Sequence, residues 1–214
     1  MKNINEVTGI TKIALIPAFK PFAGFPEFTE ELESFGFHVV AVDDGSGEEY
    51  AEIFGRIANS AKILRHAENL GKGTALKTGL SYISNKFHTP YIVVTANADG
   101  KYSPADIAAM AEAVGADDSA LYIAGGDMPS KGGVLGFIGR MVFMAQKCGR
   151  EKEEQSGLRA FSDRLAAEMI DVTGDRGEYE LNVITELMKT GTPIREVKLS
   201  HPQPLDTELL AEPA

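Results

Sequence analysis

Short apolar runs alternate with helical patterns along most of this chain, and that rhythm limits its fold more than any other feature. Residues 12–17 (KIALIP), 38–42 (HVVAV), 61–66 (AKILRH), 91–96 (YIVVTA) and 121–126 (LYIAGG) read as strands. Between them lie helical patterns: PEFTEELESFG closed by Gly36, a polar turn and a helix around 50–58, and a helix near 74–84. SPADIAAMAEAVG follows, with Ser103 as N-cap and Pro104 in the first turn. The first four strands are apolar almost throughout, as strands are when helices cover both faces of a parallel sheet. The expected class is therefore α/β, with a mainly parallel central sheet and helices on both faces.

The second half is less regular. Residues 133–149 are apolar at helical spacing, SGLRAFS suggests a short strand, and 162–174 and 177–191 read as helices closed by glycine. PIREVKLS alternates as a last strand would. With 214 residues, 43% of them hydrophobic, the chain suits one core. We expect a single domain over 1–202 and a loose Pro-rich, acidic tail over 203–214.

The formal net charge of −10 argues against nucleic acid as a partner. Cys148 is the only cysteine, so no internal disulfide forms, and a reducing, cytoplasmic setting fits. MKNINEVTGI lacks the apolar centre of a signal peptide, and no apolar run approaches the ~20 residues of a spanning helix. The apolar segment 134–144 is flanked by Lys131, Lys147 and Arg150 and contains Arg140. Peripheral contact with the inner face of a membrane, a homodimer interface and burial in the core all fit it.

Several polar clusters sit where strands end. Asp43 and Asp44 follow the second strand, where they can accept hydrogen bonds from a base or ribose, or simply cap a turn. Gly71 and Gly73 bracket Lys72 at a helix start, a place that favours an anion, although the spacing is not that of a Walker loop. The fourth strand ends in Asn97, Ala98 and Asp99, with Lys101 two residues on. Glu153 precedes the Gly157–Arg159 segment, a pairing that suits either a base with a phosphate clamp or a surface ion pair.

Taken in order, IPAFKP, VVAVDDGSG, HAENLGKGTALKTG, TANADGKYSPADI, QSGLRAF and GEYELNVITELMKTGTPIREVKLS resemble family 2 glycosyltransferases. The likeness runs roughly from Lys12 to Ser200 and is nearest to the dolichyl/polyprenyl-phosphate sugar transferase branch and its bacterial relatives. It implies a GT-A fold, a nucleotide-sugar donor, inversion at the anomeric carbon and a lipid-phosphate or other acceptor. By the same resemblance Pro17 and Ala18 border the nucleobase, and Asp43 and Asp44 hold the base or ribose. Asn69, Gly71 and Lys72 line the nucleotide pocket, as do Asn97 and Asp99. Glu153 stands near the acceptor, and Arg159 belongs to the family's Gly-Leu-Arg segment. Arg176, Glu178 and Glu180 match the acidic start of its late helix.

The resemblance also implies Mg²⁺ or Mn²⁺, with Asp99 the metal-ligating carboxylate of this chain. Here Asn97 stands for the family's usual Asp, Lys101 for its Gln, and Lys20 for an Asn in the first motif. The first two changes take the ligand set from two negative charges to none, so tight metal binding is not expected and Lys101 becomes a candidate cation toward the donor diphosphate. The expected function is transfer of a sugar, with Lys101, Arg159 and Glu153 as catalytic candidates. The alternative is a non-catalytic nucleotide-sugar-binding protein on the same fold. A nucleotidyltransferase lacks support, because no Gly-rich, Arg-containing loop follows the first strand.

Overall fold

The computed structural model of the chain describes residues 9–88, 90–125 and 157–199. Glu153, the apolar segment 134–144 and the tail 203–214 lie outside them. The described residues build one seven-stranded sheet from β1 (Thr11–Ala18), β2 (Phe37–Asp43), β3 (Ala61–Arg65), β4 (Tyr91–Thr95), β5 (Leu121–Gly125), β6 (Arg159–Ser162) and β7 (Ile194–Lys198). Their order is β3-β2-β1-β4-β6-β5-β7. All neighbours run parallel except β6, which is antiparallel to both β4 and β5. The expected mainly parallel sheet is what forms.

Strand alternation divides the core in two. Ala14, Ile16 and Ala18 of β1, with Val39, Ala41, Ile92 and Val94, face one layer of helices. That layer contains α1 (Phe25–Ser34), the short α2 (Ala51–Arg56) and α4 (Pro104–Ala116). Ile13 and Leu15, with Val40, Val42 and Val93, face the other layer. It consists of α3 (Lys72–Lys86), α5 (Asp163–Ile170) and α6 (Glu178–Lys189).

Local chemistry sets the helix ends. Ser103 Oγ accepts the Asp106 N–H at 3.2 Å while Asp106 Oδ2 accepts the Ser103 N–H at 3.0 Å, a reciprocal cap at the expected position. Gly36, at φ 81°, leaves α1 in the left-handed conformation that ends helices. The expected helix at 50–58 is shorter than its pattern, with 3₁₀ turns at Glu48–Tyr50 and Ile57–Asn59 on either side of α2.

The first turn of α3 lies hard against the approach to α6. Thr74 N–H donates to Asp175 O at 3.1 Å, and a Cβ on Gly73 would stand 2.6 Å from Tyr179 Cβ and 2.9 Å from the Asp175 carbonyl carbon. Gly73→Ala should therefore destabilise the protein by about 1–3 kcal/mol, as overpacking of a tight contact does. Urea unfolding measures this; a variant as stable as the parent would show that the two segments part without cost.

Candidate functional site

The connections β1-α1-β2 and β3-α3-β4 place their helices on opposite faces of the sheet, so a crevice opens outside the C-terminal ends of β1 and β4. Open parallel sheets bind ligands at such a switch point. A cleft of about 700 Å³ occupies it, within the range of small-molecule sites. Pro17, Ala18, Asp44, Asn69, Gly71, Lys72, Asn97 and Asp99, all selected from the sequence, line this one cleft. Phe19, Lys20, Phe22, Ala98, Arg176, Gly177 and Glu180 complete its wall.

Asp44 organises the loop that carries three of these residues. Its carboxylate is 3% exposed and accepts the Leu70 N–H at 3.0 Å on Oδ1 and the Gly71 N–H at 2.8 Å on Oδ2. His66 Nδ1 lies 2.7 Å from Oδ1, and His66 Nε2 lies 3.0 Å from Thr78 Oγ1. The side chain thus fixes the run from Asn69 to Lys72 relative to β2. Asp43 does comparable work one residue earlier and does not reach the cleft wall. Its Oδ1 accepts the Ser46 N–H at 2.9 Å, and Arg65 Nε lies 3.7 Å from Oδ2.

Lys72, at the start of α3, spans to α6. Its Nζ donates to Glu180 Oε2 at 2.7 Å. Behind Glu180 lies Arg159 of β6, 3% exposed, whose Nη1 donates to the Glu180 carbonyl at 3.0 Å and whose Nη2 is 3.5 Å from Oε1. Burial pushes the Glu180 carboxyl up, but the Arg159 guanidinium and the Lys72 ammonium outweigh it and hold its pKa below the ordinary glutamate value. One buried carboxylate therefore faces two cations. Arg159, expected to reach a phosphate, is instead behind the wall and acts on the cleft through Glu180.

The end of β4 is held by its own polar groups. Asn97 Nδ2 donates to Asp99 Oδ2 at 3.2 Å, and Lys101 N–H donates to Asp99 Oδ1 at 3.0 Å. Lys101 is exposed and contributes nothing to the cleft wall. This donor set does not fit a tightly held Mg²⁺ or Mn²⁺. Hard divalent cations need several oxygen ligands, whereas among the described residues Asp99 is the only carboxylate at the strand end, and each of its oxygens already accepts a hydrogen bond. Among the described residues no group of three His, Cys, Asp or Glu side chains is placed to hold a metal ion.

Sequence reasoning left out Phe19, Lys20 and Phe22 as ligand contacts, although they directly follow Pro17 and Ala18 and so had to lie at the same strand end. Glu180 and Arg176 were visible only as the acidic start of a late helix. No spacing rule brings residue 180 to residue 72.

Residues 14–163 match the profile of Glycosyl transferase family 2. The uncharacterized protein MJ1222 of Methanocaldococcus jannaschii is 30% identical over 208 residues, covering 92% of this chain and 83% of that protein. The fold superimposes on glucosyl-3-phosphoglycerate synthase from Mycobacterium tuberculosis in complex with Mn²⁺, uridine diphosphate and phosphoglyceric acid. That match has a TM-score of 0.64 and 20% identity, and spans 98% of this chain and 76% of the synthase. The complex of the same synthase with uridine diphosphate gives 0.62 and 19%, over 97% and 77% of the two chains. The architecture is thus the GT-A fold.

The buried Glu180 makes a pH-dependent contribution. Because its pKa is lowered in the folded state, its stabilisation is complete above the ordinary glutamate range and is lost as pH falls through its own lowered pKa. Glu180→Gln should cost about 3 kcal/mol at neutral pH, the low end for breaking a buried pair, since Lys72 can regain water. The gap between the two proteins should narrow as the solution is acidified. Urea midpoints over a pH series measure it, and a gap that stays constant would confine the role of Glu180 to hydrogen bonding.

Proposed function

The chain belongs to glycosyl transferase family 2, and we propose that its cleft holds a nucleoside diphosphate sugar whose sugar it transfers, with inversion, to a phosphate-bearing acceptor. The observation that carries this reading is the convergence of Pro17, Ala18, Asp44, Asn69, Gly71, Lys72, Asn97 and Asp99 on one cleft at the switch point of the sheet.

The wall suits each part of such a donor. Phe19, 47% exposed, offers a ring face on which a base can stack. Asn69 Oδ1 is buried without a hydrogen-bond partner, an acceptor left for a donor group of the ligand. The N-termini of α3 and α6 both adjoin the cleft, where Gly71, Lys72, Arg176 and Gly177 lie on the wall. Helix N-termini and these cations favour the negative diphosphate.

In the reaction the acceptor oxygen forms a bond to the anomeric carbon as the bond to the diphosphate oxygen breaks. The electron pair leaves with the nucleoside diphosphate, whose charge Lys72 and Arg176 stabilise. An acceptor that is already an anionic phosphate needs no strong base. Glu153, outside the described residues, is the proposed group that orients it. We take a polyprenyl phosphate as the first acceptor, following the branch that the motifs resemble.

Calorimetry with UDP-, GDP- and ADP-linked hexoses tests the donor site. One of them should bind, and Asp44→Ala should weaken it by roughly 1–3 kcal/mol because the loop loses hydrogen bonds to a charged group. A product assay with polyprenyl phosphate and with 3-phosphoglycerate then tests transfer. Binding without transfer or hydrolysis would favour a nucleotide-sugar-binding protein, and undiminished affinity in Asp44→Ala would remove the assigned pocket.

A further inference from the structure

Among the described residues the end of β4 lacks the oxygen ligands of a metal site, yet the adjoining loop after β1 carries an additional cation on the cleft wall. Lys20 lies on the cleft wall at φ 53°, the only positive φ of a non-glycine residue among the described residues. That conformation is disfavoured for a side chain of this kind and persists where surrounding bonds impose it. Here they do. Lys20 N–H donates to Ser46 Oγ at 3.0 Å, and Ser46 N–H is itself fixed on Asp43 at 2.9 Å. Phe22 N–H donates to Ala98 O at 3.1 Å, tying the Lys20 turn to the Asn97–Asp99 turn. The additional lysine and the missing carboxylate therefore belong to two loops that are bonded together.

The charges on the wall follow the same sense. Lys20, Lys72 and Arg176 line the cleft. Lys72 is not neutralised by Glu180, since that single carboxylate also faces Arg159. Lys20 Nζ is 3.4 Å from Glu49 Oε1 and 5.6 Å from the centre of the Phe19 ring, and contacts as exposed as these hold it only weakly. The side chain of Arg176 makes no ion pair among the described residues. Asp44 is turned to the Leu70 and Gly71 amides, which leaves Asp99 as the carboxylate at the strand end.

We propose that this chain binds the diphosphate of its nucleotide without a divalent cation, in a cradle of Lys20, Lys72 and Arg176 that takes over the charge a metal would supply. The inference rests on the donor-site reading above and adds to it the means by which the charge is met. It places the replacement cation on the first loop, not at Lys101, which is off the wall.

Titration calorimetry with UDP, GDP and ADP tests it, each in EDTA and again with Mn²⁺. The tightest of the three should bind with affinities that agree within about twofold in the two conditions, because nothing in the donor set rewards the ion. Lys20→Ala and Arg176→Ala, both at exposed positions, should each weaken binding about tenfold in EDTA, the loss of one charge-assisted contact. Circular dichroism confirms that each variant is folded. Binding that appears only with Mn²⁺, or tightens by tenfold or more, would overturn the inference while leaving the donor site in place. Metal-indifferent binding unaltered by both substitutions would overturn the cradle. Failure of all three nucleotides in both conditions would remove the donor-site reading and this inference with it.

Discussion

The carboxylate of Glu180 joins segments that the chain keeps far apart. Lys72 opens α3, Arg159 opens β6 and Glu180 lies in the first turn of α6, yet all three meet at one wall of the cleft, with Arg159 behind it. A buried ion pair often gives little net stability, because desolvation offsets most of the attraction. What it does well is fix geometry, since two unlike charges leaving water have few satisfactory arrangements. Here the arrangement holds the Lys72 ammonium at the cleft and braces it from behind with a guanidinium that never reaches the surface. The antiparallel β6 is what makes this reachable: its pairing with Thr95 of β4 brings Arg159 beneath the cleft.

The strand-end loops follow a second rule, in which carboxylates bind backbone amides in preference to ligand. Asp43 holds Ser46, and Asp44 holds Leu70 and Gly71. The loops can come this close only because glycines stand at the contacts. Gly45, at φ +72°, would place a Cβ 2.6 Å from Asn69 N. Gly71, at φ +99°, lies against the Asp175 carbonyl. Asp43 is thus occupied in building the loop away from the wall, whereas Asp44 lines the cleft while its oxygens hold the Leu70 and Gly71 amides.

Much of this was legible in the sequence, for identifiable reasons. The apolar runs alone specify a parallel sheet covered on both faces, because only that environment accepts strands such as IALIPA and YIVVT. The ends of those strands had to gather at one edge, so residues following β1, β2 and β4 could be assigned to one cleft without knowing its shape. Contacts between distant segments were not legible. Nothing in QSGLRAF tells that Arg159 turns inward to Glu180, and nothing in DDGSG tells that Asp43 spends its oxygens on Ser46 and Arg65. At Lys101 the backbone N–H meets Asp99 while the side chain is exposed and off the cleft wall, a placement that no residue spacing reveals.

The end of β4 shows why charge at this site can change without changing the fold. Asn97 is wedged against Gly157, where a Cβ would stand 2.6 Å from Asn97 Cγ and 2.7 Å from Nδ2. The side chain at 97 is therefore fixed by the backbone that leads into β6. An aspartate and an asparagine have nearly the same shape, so either can fill that space. What differs is the partner each needs. An aspartate beside Asp99 sets two negative charges together and calls for a cation between them, whereas the amide of Asn97 donates to Asp99 directly and satisfies the pair. The sheet sets where the turn lies, and the identity of one atom at residue 97 decides whether the strand end needs an ion or supplies its own hydrogen bond. In the proposed nucleotide complex the positive charge then comes from side chains elsewhere on the wall, and the turn bearing Lys20 is bonded to this one through Phe22 N–H and Ala98 O.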